Sequence, residues 1–282
     1  MFFEQIALPL KTFGQKLISL GGPAPIAKLN QVVVLFDASV FRYPSTFSFA
    51  FRLWYKIMYF VLSRTARRLV TISDFSALEI SSVLGISKSR FAVATCGADH
   101  AEKVKSESPG LSLPERFVVC IGTIAPRKNL IPVIQALSSR GIKTVVVGAV
   151  GNPRVFSAAQ SSLNLENLTF AGRLSDSEVT WLLERAEALV FPSLYEGFGL
   201  PLLEAQVAGC PVVSSNAASM PEVLRDSGLL FDPKDPEAAV AQVMRIIDDR
   251  GLREKLVKAG KENVARYRWA DTARTILAAA KL

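Results

Sequence analysis

The sequence predicts an α/β fold with two doubly wound domains, each built around a parallel sheet, of which the N-terminal one is incomplete. Short apolar runs rich in β-branched residues alternate with longer segments of helical period, a pattern typical of βα units. The chain has 282 residues, 50% of them hydrophobic and 21% charged, so it is long enough for two cores and is not of disordered composition.

The regular βα pattern fills residues 116–282, which we predict to be one complete domain. Residues 101–115 contain Lys, Glu, Ser, Pro and Gly and are predicted to be a linker. Residues 1–100 form the smaller N-terminal domain. Its predicted strands are Lys16–Leu20, Gln31–Phe36, Leu69–Ile72 and Phe91–Thr95.

The C-terminal domain is predicted element by element from the same alternation. Its predicted strands are Phe117–Gly122, Lys143–Gly148, Leu168–Ala171, Ala188–Phe191, Pro211–Ser214 and Leu229–Asp232. Its predicted helices are Asn129–Ser139, Asp176–Ala186, one that begins near Pro201, Pro236–Asp249, Leu252–Tyr267 and Trp269–Leu282. The last helix is also a candidate to return to the N-terminal domain.

The net charge of +8 favours anionic partners, and the basic residues concentrate in residues 47–68 together with seven aromatic side chains. Two interpretations of this segment stay open. It is either a helix at an anionic membrane surface, with its rings at headgroup level, or an ordinary amphipathic helix that covers a sheet.

We expect a cytoplasmic protein, at most peripheral on the inner face of the membrane. No apolar run is long enough to span a bilayer, and the N-terminus lacks a secretory signal. The three cysteines are too widely spaced to predict a disulfide framework or a zinc site. Cys120 lies inside a predicted strand and is interpreted as a buried thiol.

The densest cluster of candidate functional residues follows a predicted buried strand and ends at Glu204. A turn with two glycines connects this strand to a helix that has Pro201 at its first position. Glycines let the backbone approach a ligand closely, and N–H groups at a helix start bind anions. In a doubly wound sheet this turn lies at the strand ends where ligands bind. The predicted ligand contacts are Gly197, Phe198, Gly199 and Leu200.

Two carboxylates frame this turn, Glu196 in the loop and Glu204 in the first helical turn. A carboxylate accepts hydrogen bonds from two hydroxyls at once, which suits a ribose diol or a sugar ring. Taken singly, Glu204 would be read as compensating the helix dipole and Glu196 as a solvated charge. Their position on either side of the glycine turn favours ligand binding.

A second cluster follows the first strand of the C-terminal domain and contains Gly122, Thr123, Arg127 and Lys128, with Asn129 as a plausible N-cap. Arg offers a planar fork and Lys a point charge. Two cations at the mouth of a parallel sheet, next to a glycine turn, predict a clamp for a pyrophosphate.

The string Tyr195–Glu204 has two glutamates separated by seven residues and resembles the E-x7-E signature of family 4 glycosyltransferases. These are retaining enzymes of the GT-B fold, which pairs two Rossmann-like domains. Gly122–Asn129 resembles their phosphate-binding stretch, and Phe170–Asp176 resembles the segment whose backbone meets the nucleobase. Met220–Val223 resembles their next motif, so the resemblance covers the whole C-terminal domain.

The resemblance implies an enzyme that transfers a hexose from a nucleotide-diphosphate donor to a glycan or lipid-linked acceptor with retention, without a metal or other cofactor. It favours GDP-mannose as donor and bacterial surface polysaccharide or lipopolysaccharide synthesis as the setting. The catalytic residues would be Glu196 on the donor sugar and Arg127 and Lys128 on the leaving diphosphate. Glu204 would hold the ribose, and Arg173 and Leu174 would join the donor site.

The N-terminal domain resembles the family more weakly, through Thr71–Ser76 and Val93–Asp99. Phe36–Pro44 resembles a segment that in many relatives reads His-Asp at a strand end, which makes Asp37 the acceptor-side candidate. Here Phe36 replaces the His. Gly21–Pro23 resembles a later loop, so the acceptor domain is expected to be shortened at its N-terminus.

Two interpretations of the function follow. One is an active transferase; the other is a catalytically impaired nucleotide-sugar-binding protein or a truncated remnant, which the shortened domain and Phe36 favour. The only histidine, His100, is interpreted as a linker or surface residue. An epimerase of the same fold does not fit the E-x7-E string. A dinucleotide oxidoreductase lacks its glycine fingerprint, and no nucleic-acid recognition motif is present.

Overall fold

The computed structural model describes residues 2–21, 24–149 and 165–281. Two members of the loop Gly21–Pro23, Gly22 and Pro23, lie outside the described residues. The chain divides into two compact units. The N-terminal unit comprises Met1–Gly97, Glu196–Phe198 and Trp269–Leu282, and the C-terminal unit comprises Ala98–Tyr195 and Gly199–Arg268.

The strands and helices alternate along the described residues. The strands are β1 (Leu17–Ser19), β2 (Gln31–Val34), β3 (Arg68–Thr71), β4 (Phe91–Val93), β5 (Val118–Ile121), β6 (Thr144–Val147), β7 (Leu168–Gly172), β8 (Leu189–Phe191), β9 (Val212–Ser215) and β10 (Leu229–Phe231). The α-helices are α1 (Leu8–Lys11), α2 (Ser39–Arg42), α3 (Phe49–Thr65), α4 (Asp74–Leu84), α5 (Leu130–Ser139), α6 (Asp176–Arg185), α7 (Leu200–Val207), α8 (Met220–Leu224), α9 (Pro236–Asp248), α10 (Arg250–Val264) and α11 (Trp269–Lys281). The strands and longer helices predicted from periodicity are confirmed, with ends that move by a few residues.

The N-terminal unit contains a four-stranded parallel sheet in the order β1-β2-β3-β4. Successive residues of β2 point to opposite faces, so this strand feeds two buried clusters. Val33 packs in the cluster of α3 and α4, with Met58, Leu62 and Ile80. The cluster on the other face comprises Val32, Val34, Val70, Ala94, Ala279 and Ala280, the last two from α11.

Two helices of this unit, α3 and α4, begin at side-chain caps. Ser48 accepts a hydrogen bond from the Phe51 N–H at the start of α3, and Ser73 accepts one from the Ser76 N–H at the start of α4. α4 ends at Gly85 in the left-handed conformation that glycine tolerates best. None of the described helices is both long enough and apolar enough to cross a membrane.

The C-terminal unit contains a six-stranded parallel sheet in the order β10-β9-β8-β5-β6-β7. From β5 the chain adds strands outward through β6 and β7, then returns to the other side of β5 with β8. The strand order therefore reverses between β5 and β8, where Val119 pairs with Leu189. Ligands of doubly wound folds bind outside the carboxyl ends of the strands at this switch point.

One face of this sheet is covered by α5 and α9, whose apolar side chains pack on alternate strand residues. Cys120 of β5 is fully buried in this cluster, as predicted, and burial raises the pKa of its thiol. The cluster also contains Val118, Val133, Ile134, Leu137, Val146, Val190, Val213, Ala239 and Val243.

The predicted domain boundaries differ from the division in the structure. The segment predicted as a linker, residues 101–115, belongs to the C-terminal unit, where the Ser106 hydroxyl donates to Glu184 and the Glu107 N–H donates to the Ser177 carbonyl. Its polar composition reflects a surface segment held against α6 rather than a free connection. α11 belongs to the N-terminal unit.

Candidate active site

Parts of the two predicted clusters lie side by side at the switch point of the C-terminal unit. Residues 122–129 follow β5, and residues 192–195 follow its neighbour β8. The Leu194 N–H donates to the Arg127 carbonyl at 2.8 Å, which joins the two loops directly. Segments more than sixty residues apart in the sequence are thus brought to one edge of the sheet.

Arg127 and Lys128 lie in a 3-10 turn, Pro126–Lys128, and both side chains are half-buried. The Arg127 Nη1 donates to the Tyr195 carbonyl at 3.4 Å. The Lys128 Nζ lies 5.3 Å from the centroid of the Phe191 ring, within range of a cation–π interaction. Arg127 is therefore held against the loop after β8 and Lys128 against the last residue of β8, where an anionic group would gain from the pair.

Asn129 occupies the N-cap position of α5, but its side chain does not cap the helix. Its Nδ2 donates instead to the Pro233 carbonyl at 2.8 Å, and its backbone is left-handed, with φ of 51°. The predicted N-cap position is therefore confirmed, but the side chain makes no capping hydrogen bond. Asparagine tolerates the left-handed conformation, and here its amide ties the loop to the segment after β10.

Gly148 brings the loops after β5 and β6 into close contact. A Cβ atom at Gly148 would lie 2.3 Å from the Gly122 carbonyl oxygen, and its φ of 136° excludes most other residues. The backbone at the end of β5 can take its position only because no side chain is present at residue 148. Thr123, the next residue, is exposed at the same edge.

α7 starts without a capping side chain. Gly199 occupies the N-cap with φ of 99°, and Pro201 lies within the first turn, second in the helix rather than first as predicted. Leu200 is the first helical residue and is half-buried. A helix start of this kind leaves backbone N–H groups that a bound anion can satisfy.

Glu204 is the fifth residue of α7, so its predicted place in the first helical turn is wrong. Compensation of the helix dipole, which falls off within one turn, does not account for it. Burial raises the pKa of its carboxyl; His100 opposes this effect and Asp176 adds to it. The His100 Nε2 lies 3.5 Å from the Glu204 Oε1. His100 is half-exposed, and its interpretation as a linker or surface residue missed this pairing.

The middle of the glycine turn, Glu196–Phe198, belongs to the N-terminal unit. The Gly197 carbonyl accepts hydrogen bonds from the Ser73 hydroxyl at 2.6 Å and the Ser76 hydroxyl at 3.1 Å. A Cβ at Gly197 would lie 2.9 Å from the Asp37 Cβ, so glycine is required for this approach. The two serines were not predicted as site residues, although they lie in a segment that resembles the family.

Asp37 follows β2, and its Oδ1 accepts a hydrogen bond from the Ser39 N–H at 2.7 Å, at the start of α2. The neighbouring Phe36 has 45% of its surface exposed. Its ring fills the space beside Gly21, where a Cβ would lie 2.4 Å from the Phe36 Cζ. An apolar ring therefore occupies the strand end at which many relatives are expected to carry a histidine.

Arg173 and Leu174 follow β7, the edge strand of the C-terminal sheet, two positions from β5. Arg173 is exposed and Leu174 is half-buried. Ser175 then caps α6 in a reciprocal arrangement with Glu178, which fixes where this loop ends. Within residues 2–21, 24–149 and 165–281, no group of three His, Cys, Asp or Glu side chains is arranged to hold a metal ion.

Comparison with known proteins identifies the family. The chain matches the model of the family described as Glycosyl transferases group 1 over residues 102–263. It is 30% identical over 237 residues to O-antigen chain mannosyltransferase B of Escherichia coli, covering 77% of this chain and 61% of that protein. It is also 30% identical over 228 residues to the serotype-specific mannosyltransferase WbdA of Escherichia coli, covering 76% of this chain and 27% of WbdA. The chain spans less than two thirds of the length of each relative.

Among solved structures, HepE of Anabaena in complex with UDP and glucose superposes with a TM-score of 0.74 at 20% identity, covering 89% of this chain and 70% of HepE. A likeness at this level of identity establishes the fold. The family model covers more than half of the chain, and the two parallel α/β units agree with the structural neighbour. We conclude that the chain belongs to the glycosyl transferases group 1 family and has the GT-B fold.

Proposed function

We propose that the protein is a retaining glycosyltransferase that transfers mannose from GDP-mannose to a glycan or lipid-linked acceptor during assembly of a bacterial surface polysaccharide. The observation that carries this proposal is the direct hydrogen bond between the loops after β5 and β8, from the Leu194 N–H to the Arg127 carbonyl. It gathers two cations and a helix start at the switch point of the sheet. The mannosyltransferase names of two relatives support the choice of sugar.

In the proposed reaction, Arg127 and Lys128 stabilise the negative charge that develops on the departing nucleoside diphosphate. The N–H groups at the start of α7 assist them, and stabilisation of this kind needs no covalent nucleophile. Glu204 binds the ribose hydroxyls, and Glu196 binds hydroxyls of the donor sugar. Arg173 and Leu174 extend the donor site, and Asp37 serves the acceptor side.

The first experiment is calorimetric titration of the full chain with GDP and UDP, followed by GDP-mannose and UDP-glucose in a donor-hydrolysis assay. We expect GDP to bind more tightly than UDP and GDP-mannose to be hydrolysed slowly. Turnover of UDP-glucose alone would contradict the choice of donor. Proton NMR of the product with a simple mannoside acceptor then tests retention, because an inverted anomeric configuration would contradict it.

We also propose that charge compensation by Arg127 and Lys128 replaces a metal ion. Transfer should then proceed at an unchanged rate after dialysis against EDTA. Restoration of a lost rate by added Mg²⁺ or Mn²⁺ would contradict this part of the proposal. A known metal-dependent transferase treated in parallel serves as the control for complete chelation.

A second candidate function, donor binding without transfer, is favoured by Phe36. Its ring packs at Gly21 and offers no polar group at the end of β2. A protein of this kind would bind GDP-mannose in the titration but show no hydrolysis and no transfer. The Phe36→His variant separates the two functions, because it would gain turnover only if the missing polar group limits the reaction.

We further propose that the protein works in the cytoplasm at the inner surface of the membrane, through one face of α3. This basic-aromatic face comprises Phe49, Arg52, Leu53, Lys56, Ile57, Phe60 and Arg64. Its apolar members recur at helical spacing, and Phe49 is 71% exposed. Arg64 stacks on the Phe60 ring at 3.6 Å, so charge and apolar surface are interleaved. Co-sedimentation with phosphatidylglycerol vesicles, but not with phosphatidylcholine vesicles, is the expected result.

A further inference from the structure

His100 lies next to Glu204, but the proposed reaction gives His100 no role. His100 precedes the 3-10 turn Ala101–Lys103 near the start of the C-terminal unit, and its Nε2 lies 3.5 Å from the Glu204 Oε1. The two residues lie 104 positions apart in the sequence. The pair therefore exists only because the fold brings this turn against α7.

The backbone around His100 is held in place on both sides. The Ala98 N–H donates to the Tyr267 carbonyl at 2.8 Å, and the Lys103 N–H donates to the His100 carbonyl at 3.2 Å. Arg268 forms an ion pair with Glu102 in the same turn. An imidazole on an anchored backbone can direct a neighbouring carboxylate, whereas one on a loose linker cannot.

Glu204 needs such a partner for its proposed role. A carboxylate binds a diol well when it is ionised and when its two oxygens are aimed at the two hydroxyls. The Glu204 side chain is only 29% exposed, and its burial disfavours the charged form. His100, which is 43% exposed at its side chain, contacts one oxygen and leaves the other available.

Resting on the proposed function, we infer that His100 is a positioning residue that orients the Glu204 carboxylate for the ribose hydroxyls of the bound nucleotide. Its contribution is made through Glu204, so it is not a catalytic residue. The contact takes one Glu204 oxygen as acceptor for the Nε2–H, and the remaining acceptor sites of the carboxylate serve the ribose.

The test is a double-mutant cycle on the full chain, read by calorimetric titration with GDP and with its dideoxy analogue, which lacks both ribose hydroxyls. His100→Ala is expected to weaken GDP binding about fivefold, in keeping with a long hydrogen bond to a charged group. It should weaken binding of the dideoxy analogue little, because that ligand cannot use the oriented carboxylate. His100→Gln retains a donor at a similar reach and should restore most of the loss.

Coupling through Glu204 is the decisive part of the cycle. In the Glu204→Ala background, His100→Ala should have no further effect on GDP affinity. An equal loss in both backgrounds, or an equal loss for both nucleotides, would overturn the inference. Lys103→Ala removes an exposed side chain of the same turn, keeps the backbone N–H that donates to His100, and should bind GDP like the wild type.

The outcomes also distinguish this inference from the proposed function. If Glu204→Ala weakens GDP binding but His100→Ala does not, the inference about His100 fails and the ribose assignment stands. If Glu204→Ala binds GDP as tightly as the wild type, both fail together. Circular dichroism of each variant confirms that a lost affinity does not reflect a lost fold.

Discussion

The two units differ in how many large apolar side chains they leave exposed to solvent. Among the described residues, sixteen of the eighteen large apolar side chains with substantial exposure lie in the N-terminal unit, and only Leu111 and Met244 lie in the C-terminal unit. The described part of the C-terminal unit leaves only those two exposed and places cations, glycines and a carboxylate at one sheet edge. The difference suits a unit that meets an apolar partner and a unit that binds a charged, soluble ligand.

The largest expected effect lies at the charged edge of the C-terminal unit. Arg127→Ala combined with Lys128→Ala should lower the turnover of GDP-mannose about a thousandfold, because in the proposed reaction both cations stabilise the leaving diphosphate. Steady-state hydrolysis and transfer assays measure this loss. The same variant should retain vesicle binding, since the basic-aromatic face of α3 is unchanged.

Lys258→Ala with Lys261→Ala is the matched control for net charge. Both lysines are exposed on α10 of the same unit, and their removal should leave turnover at the wild-type rate. An equal loss of turnover in the control pair would mean that general electrostatic attraction, and not a local clamp, draws the donor to this unit.

The next effect tests how the backbone forms that edge. Gly148→Ala should lower the free energy of unfolding by about 3 kcal/mol, because the new Cβ would clash with the Gly122 carbonyl at a φ closed to alanine. Urea denaturation measures the change. Gly141→Ala is the control: it has a φ of 74° but open space around it, so it should cost only about 1 kcal/mol.

Prediction from sequence works where a local pattern carries the information. β-branched runs and helical periods predict the strands and longer helices, and glycines or cations after a strand identify the loops that are candidates to bind a ligand. The carboxyl ends of parallel strands lie at the same edge of a sheet. The proximity of Arg127 to the turn after β8 can therefore also be predicted from the sequence.

What could not be predicted depends on long-range packing. The pairing of His100 with Glu204 joins a turn to a helix through the fold, and Asn129 turns its amide to Pro233, which no local motif signals. A sole histidine next to the family-like segment Val93–Asp99 was the one available hint. The grouping of Glu196–Phe198 with the N-terminal unit depends on hydrogen bonds from Ser73 and Ser76 to Gly197. These serines lie more than 120 residues before Gly197 in the sequence.

A smaller effect is expected on the exposed face of the N-terminal unit. Phe49→Ser with Phe60→Ser should lower partitioning into phosphatidylglycerol vesicles about tenfold, because the proposed membrane contact would lose the burial of two rings. The free energy of unfolding should change by less than about 1 kcal/mol, since both side chains are exposed. Flotation assays and urea denaturation provide the two readings.

The control applies the same chemistry to the other unit. Among the described residues of the C-terminal unit, Leu111 and Met244 are the two exposed large apolar side chains. Leu111→Ser with Met244→Ser removes both and should leave vesicle partitioning unchanged. A similar loss from both pairs would break the comparison, because apolar contact would then be a general property of the surface. If neither pair of substitutions lowered vesicle partitioning, the result would contradict the proposed membrane role of α3.

The smallest effect concerns stability at Glu204. Because burial raises the pKa of its carboxyl in the folded state, the fold favours the protonated form. The resulting stability is present below the ordinary value of 4.5 and is lost as pH rises through the raised value. Glu204→Gln removes this dependence, so the unfolding free energy of the variant relative to the wild type should rise as the pH rises above the ordinary value of 4.5.

Urea denaturation at several pH values measures this difference, and His100 and Asp176 set its size. His100 opposes the raised pKa and Asp176 adds to it, so the rise should be larger in a His100→Ala background and smaller in an Asp176→Asn background. A difference independent of pH would mean that Glu204 is already as well solvated as in the unfolded chain. A rise coupled to His100 would mean that the fold gives up stability to keep a charged carboxylate where the donor needs it.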